Sequence, residues 1–275
     1  MSEPAMPNFT AKDVQALRQS MGVGMMDAKK ALEECDGDME SAEKLLRERG
    51  LAKAAKLADR ENEQGAVAVV LEGNVAAMVE LKSETDFAAK SPDFVGLVEE
   101  LAELVAARVE GAVGEKQEAL DQLKLSKKEN IQLGEVVRFE VPAGHVIDAY
   151  LHKQDDRGVV GVLVELDDKG TVEQAHELAL HIAFKKPRYL SRDDVPEADV
   201  DAEREMLTEL TRKKEVEEEG KPEQALPKIV EGKLGKWFED QVLLEQSLFD
   251  EKGRAVTAEL GEARLVRFAV AAVGD

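Results

Sequence analysis

The residues best suited to hydrolytic chemistry are HELALH, positions 176–181. A zinc protease needs two histidines at i and i+4 on one helical face, with a glutamate directly after the first to activate the metal-bound water. Here the second histidine stands at i+5, about 100 degrees further round a helix, and position 180 is leucine. This spacing predicts two solvent-facing or half-buried histidines and no metal pair. Gly22-Val23-Gly24 and Gly158-Val159-Val160-Gly161 are too short for phosphate loops and lack the lysine-serine pair that would follow one. They read as a helix stop and strand glycines. The acidic run EVEEE at 215–219 reads as a solvated helix end, and no serine, cysteine or aspartate sits in a nucleophile setting. No enzymatic activity, metal or cofactor is expected.

A different stretch, SETDFAAKSPDF at 83–94, fits none of these patterns. Between a strand-like run and a helix-like one, small polar turn residues are expected. Instead the turn carries Asp86 and Phe87, a carboxylate beside a large apolar ring. Phe87 either caps the core of its own domain or is aimed at something outside it.

The elements around that turn follow from periodicity. Thr10 caps a first helix with Val14, Leu17 and Met21 inward, stopped by Gly22. A second runs from about Met25 through Ala28 and Leu32. A third is capped by Asp38, faces Met39, Ala42, Leu45 and Leu46 inward, and closes at Gly50. About forty residues of helix make a marginal core, which suits a small docking module. Residues 51–64 read as a helical or loose linker. Val67, Val69 and Leu71 then alternate, Gly73-Asn74 turns the chain, and Val75, Ala77, Val79 and Leu81 alternate again. Ser91 and Pro92 open a helix to about Val109, and a charged helical connector follows at 114–125.

A third segment repeats the plan. Its strands are marked by Val137, Phe139 and Val141, by residues 146–152, and by Val160 to Leu166, the last two joined by a turn at 155–158. Thr171 and Gln174 form a capping box for a helix ending at Lys185-Lys186-Pro187. Residues 195–240 form a helical hairpin broken at Glu219-Gly220-Lys221-Pro222, and a strand over 265–272 completes the second sheet.

The predicted fold class is α+β: a three-helix, ubiquitin-associated-like module, a linker, a duplicated core of antiparallel hairpins with helices, and an inserted helical hairpin. The expected boundaries are 1–55 for the module, 56–140 for the half carrying the turn, 141–197 with 241–275 for the second half, and 198–240 for the hairpin.

Composition bounds the partners. The net charge of −21 over 275 residues repels phosphate backbones and argues against direct nucleic-acid binding. A lone cysteine, Cys35, expected as a small buried helical residue, indicates a reducing compartment. MSEPAMPNF has neither a basic start nor an apolar stretch, and no apolar run reaches 18 residues, so a soluble cytoplasmic protein is expected.

Four blocks carry a resemblance. Residues 21–46 (MGVGMMDAKKALEECDGDMESAEKLL), 80–94 (ELKSETDFAAKSPDF), 181–196 (HIAFKKPRYLSRDDVP) and 220–240 (GKPEQALPKIVEGKLGKWFED) resemble the bacterial elongation factor Ts family. They stand in the family's order and cover nearly the whole chain. One departure is noted: residues 259–262 are expected to connect the chain almost directly to its last strand, where the family has a short helix. The resemblance implies a guanine-nucleotide exchange factor for the GTPase elongation factor Tu, with no small-molecule substrate and no membrane. It implies that Thr85, Asp86 and Phe87 enter the GTPase near its magnesium and phosphates, Phe87 as an apolar wedge and Asp86 as a charge beside the metal. Arg18, Met25 and Met26 match family positions that meet the GTPase. Helical spacing would bury one of the methionines in the module's own core, leaving one or two of the three for the partner. His152 matches a family histidine lying against the partner, although a strand-end histidine is otherwise simply solvated. The hairpin carrying Trp237 is in relatives a dimerisation or partner-contact element, allowing a homodimer or a 2:2 complex. Two other functions remain to be weighed, a peptide adaptor built on the three helices and a metal-dependent hydrolase built on HELALH.

Overall fold

The structure is a computed structural model and describes residues 8–249 and 253–274. Of the stretch read above for a targeting signal, residues 1–9, the first seven lie outside them. Helix α1 (Ala11–Met21) starts at a capping box in which Asp13 N–H donates to the Thr10 hydroxyl and Thr10 N–H donates to the Asp13 carboxylate. Gly22, at φ 61°, ends it in the left-handed region. Helix α2 (Met25–Glu34) ends at the partly buried Cys35. In α3 (Met39–Ala55) the first turn is capped by Asp38, which accepts from Ser41 N–H at 2.8 Å. Val14, Leu17, Ala28, Leu32 and Leu46 share one small core with Leu125. Gly50 does not close α3 as expected. The helix runs on to Ala55, and Gly50 is where it presses on Leu125, since a Cβ there would collide with that side chain. The expected linker is therefore helix and then turn, and its turn is pinned by the buried Asn130 amide, which donates to the carbonyls of Ala58 and Arg60.

Strands β1 (Gln64–Glu72) and β2 (Val75–Ser83) pair antiparallel around Gly73, at φ 59°. The chain next makes α4 (Asp86–Ala89), a single helical turn, and α5 (Pro92–Ala107), with Pro92 at its start. Phe94, Leu97, Leu101 and Val105 lie buried against this hairpin, each contributing about 1.5–3 kcal/mol. A 3-10 stretch and α6 (Gln117–Lys127) lead to β3 (Gln132–Glu140).

The strand plan grouped Val137 and Phe139 with the strands that follow, whereas the boundary at residue 140 left them in the first half; β3 pairs with β2, giving a first sheet of order β1-β2-β3. The reason is that its residues serve both faces of that sheet: Val136 packs on the α5 side while Phe139 lies in the core between the sheets.

The second sheet has order β4-β5-β6, from β4 (Val146–Gln154), β5 (Arg157–Leu166) and β6 (Leu265–Ala272). Asp155 and Asp156, at φ 52° and 61°, make the two-residue turn between β4 and β5. The outer face is covered by α7 (Val172–Lys185), opened by the Thr171–Gln174 capping box. Between the two sheets lie Val67, Ala76, Met78, Phe139, Leu163 and Ala271, so the layers run helix, sheet, sheet, helix. Gly158 and Gly161 let β5 approach β1 closely. A Cβ on Gly158 would collide with the Val67 carbonyl oxygen, and one on Gly161 would lie 2.6 Å from Val67 Cγ1.

The helical hairpin consists of α8 (Glu197–Thr211) and α9 (Leu226–Gln241), joined through a π-helical turn at Arg212–Glu218. Glu215 is not a solvated helix end. Its carboxylate accepts from Lys221 at 2.8 Å and lies 2.7 Å from Lys233 Nζ, and these bonds hold its pKa down to about 2. The chain then forms α10 (Val256–Leu260), with Val256 and Leu260 buried in the second half's core. The short helix thought to be missing before the last strand is thus present; residues 250–252 of that connection lie outside the described residues.

Candidate functional site

The Asp86-Phe87 turn emerges at the open end of the β1–β2 hairpin. Ser83 at the end of β2 is buried, and its hydroxyl donates to the Thr85 carbonyl at 3.1 Å. Thr85 is the N-cap of α4: Ala88 N–H donates to its Oγ1 at 3.2 Å. The Thr85 hydroxyl and N–H in turn donate to the two oxygens of Glu129, at 2.6 and 3.1 Å. Ala88 and Ala89 are buried, which seats the inner side of the turn. Between the capped Thr85 and the buried alanines, Phe87 stands 84% exposed. It does not cap the core of its own half.

Asp86 is half-buried at the base of the ring. Lys90 Nζ donates to its Oδ2 at 2.8 Å, and that hydrogen bond holds the Asp86 carboxyl below its usual range, with the Lys90 charge and more distant Arg157 adding to it. Lys90 is raised in turn, by its bond to Asp86 and by a second to Asp155, 3.0 Å away in the β4–β5 turn. Asp86 is therefore ionised and paired. A groove of about 830 Å³ runs behind the turn, lined by Glu84, Asp86, Phe87, His152, Asp155 and Arg157. Arg157 is buried, donating to the Gly65 carbonyl, while its Nε has no hydrogen-bond partner among the described residues.

His152 is exposed near the end of β4, its Nδ1 3.4 Å from the Tyr150 hydroxyl. It lines both that groove and a second, apolar one of about 560 Å³ with Leu180, Phe184, Leu248 and Phe249. Phe184 and Phe249 stack at 3.9 Å with both rings exposed. Arg18 lies on α1 and Met25 and Met26 on α2 of the three-helix module. All three are exposed, Met25 at 48% and Met26 at 61%, so neither methionine enters the module's core as helical spacing implied. Thr85, Asp86, Phe87 and His152 thus line one groove, and Arg18, Met25 and Met26 are not among its lining residues.

HELALH has a structural role. His181 is buried at 2% exposure, which corrects the half-buried expectation. Phe249 N–H donates to its Nδ1 at 3.1 Å, so the proton sits on Nε2, which donates to Gln246 at 2.9 Å. His176 instead meets Asp148 at 3.0 Å. Among the described residues no group of three or more His, Cys, Asp or Glu could hold a metal, and no helix is long and apolar enough to cross a membrane.

Sequence reading missed Lys90, Glu129, Asp155 and Arg157. Only Lys90 carried a local signal, its i+4 spacing from Asp86. The other three reach the turn from distant parts of the chain.

A sequence model of the family described as Elongation factor TS matches residues 84–275, a span that starts just before the exposed turn. The chain belongs to the elongation factor Ts family. It is 42% identical over 282 residues to the elongation factor Ts of Renibacterium salmoninarum, covering 98% of this chain and 100% of the relative. It is 40% identical to that of Deinococcus deserti, covering 94% and 97%, and 42% identical to that of Mycobacterium avium, covering 96% and 99%. This family membership assigns the chain a role in translation elongation.

Proposed function

We propose that the chain is a guanine-nucleotide exchange factor that binds the GDP form of elongation factor Tu, disturbs its magnesium and phosphate site, and holds the emptied GTPase until GTP enters. The reading is carried by Phe87: an apolar ring 84% exposed on a backbone braced from several sides, in a member of this family. A ring left in water gains nothing for its own fold and gains about 1.5–3 kcal/mol when it enters another protein's interior. The ionised Asp86 brings negative charge to the same place, disfavouring the existing coordination around the metal.

The wedge does not act alone. A nucleotide held at nanomolar strength is stabilised by about 12 kcal/mol, several times what one phenylalanine supplies. Exchange therefore draws on further surfaces whose summed affinity favours the empty GTPase. Arg18, Met25 and Met26 offer one, the methionines adapting to the contour they meet. His152 and the groove beside it offer another. No bond is made or broken by this chain, so it is an exchange factor and not an enzyme, working in the cytoplasm alongside its GTPase. The helical hairpin is left for self-association or a 2:2 complex.

The direct test is release of a fluorescent GDP analogue from elongation factor Tu. Adding the chain accelerates release manyfold. Release at the intrinsic rate at every concentration of the chain overturns the proposal.

A further inference from the structure

One group that braces the Asp86-Phe87 turn, Asp155, comes from the opposite half of the molecule. Lys90 Nζ lies 2.8 Å from Asp86 Oδ2 within the first half and 3.0 Å from Asp155 Oδ2 at the tip of the β4–β5 hairpin in the second. Asp155 sits at φ 52° in a two-residue turn, which fixes the direction of its Cα–Cβ bond and keeps its carboxylate within reach of Lys90. One layer below, the buried Arg157 guanidinium crosses the same gap to the Gly65 carbonyl. The second sheet is thus fastened by Arg157 to the start of β1, which pairs with Ser83 just before the turn, and by Lys90 to the turn's rim.

A helix of four residues has no stability of its own. The inner side of α4 is held by Ala88 and Ala89 and its first residue by the Thr85 cap, but the rim bearing Asp86 has Lys90 as its only ion-pair partner among the described residues. The geometry points to Lys90 as a positioning residue anchored by Asp155: one shared ammonium through which the second half steadies the turn that carries Phe87. Its functional consequence rests on the exchange reading. A turn already rigid before docking loses less conformational freedom on binding, so more of the ring's burial appears as affinity. Asp155 then affects exchange through Lys90 without itself needing to touch the GTPase.

A double-mutant cycle tests this with Lys90→Met, Asp155→Asn and the pair, and with Lys90→Arg as the conservative rescue. Asn tolerates the left-handed turn as well as Asp does, and melting temperatures confirm that each variant folds. The first readout is hydrogen–deuterium exchange of the Ala88–Ser91 amides in the free chain. Asp155→Asn speeds their exchange about two- to fivefold, the scale on which exposed ion pairs act, in the parent background and has no effect in Lys90→Met. Lys90→Arg stays close to the parent. Equal effects of Asp155→Asn in both backgrounds, or none in either, overturn the strut. The second readout is GDP release, where the same coupling is expected. Coupled amides with coupling absent from GDP release overturn the functional part alone. If the amides are coupled but the parent chain does not accelerate release, the exchange reading fails and the strut stands. Acceleration by the parent with uncoupled amides leaves the exchange reading in place and overturns the strut.

Discussion

Truncating Phe87 to alanine separates what the ring does for this chain from what it does to a partner. At 84% exposure the ring has few contacts of its own to lose, so the free chain changes stability by no more than about 0.5 kcal/mol, a melting shift of about 1–2 °C for a domain this large. On docking, the same ring passes from water to an interior worth about 1.5–3 kcal/mol, which is about a 10- to 150-fold factor in an equilibrium constant. The assay is stopped-flow release of fluorescent GDP from elongation factor Tu across a range of chain concentrations, with a thermal melt of each variant. Phe87→Ala should require that much more chain for the same rate, or reach a plateau lower by part of that factor. Phe87→Leu should fall between the two. Unchanged exchange in Phe87→Ala would refute the wedge. So would a fall of many degrees in melting temperature, because the ring would then belong to this chain's own core.

Two further outcomes test the scaffold. Gly158→Ala forces a methyl group into the Val67 carbonyl, a backbone atom that cannot rotate away, and should destabilise the double sheet by about 1–3 kcal/mol in a denaturant titration. Burial pushes the His181 imidazole below its ordinary value of 6.5, so the unfolded chain takes up this proton first as pH falls. The associated stability is complete above about 6.5 and lost as pH falls toward and through the folded value. Between about pH 7 and pH 5.5, a window spanning the ordinary histidine range, the melting temperature of His181→Leu should therefore fall less than the parent's. It starts lower, because Gln246 and Phe249 N–H lose their partner.

Much of the scaffold was legible because its signals are local. The Thr171–Gln174 capping box, the Gly73-Asn74 turn and the alternation of Val75, Ala77, Val79 and Leu81 each need only a few neighbouring residues, and each led to the element found. Gly50 misled because a glycine that ends a helix and one that admits a neighbouring side chain read alike, and Leu125 lies far along the chain. His181 misled because its partners, Gln246 and the Phe249 amide, come from beyond the helical hairpin. The placement of β3 depended on which neighbour it pairs with, and strand periodicity does not carry that information. At the candidate site the odd residue type of Phe87 drew attention to the turn. The carboxylates and cations that support it, Glu129, Asp155 and Arg157, are ordinary surface letters until folding brings them together.

The Thr85–Glu129 bond has a consequence for how this knuckle can be moved or altered. A twelve-residue excerpt from 83–94 contains the ring but neither the clasp at its shoulder nor the opposing hairpin tip. Transplanted alone, it would be a floppy peptide with a greasy end. The smallest portable unit is a patch sewn from three separate stretches of chain, so changes of loop length near residue 129 or residue 155 bear on the tip as directly as changes within the letters TDF.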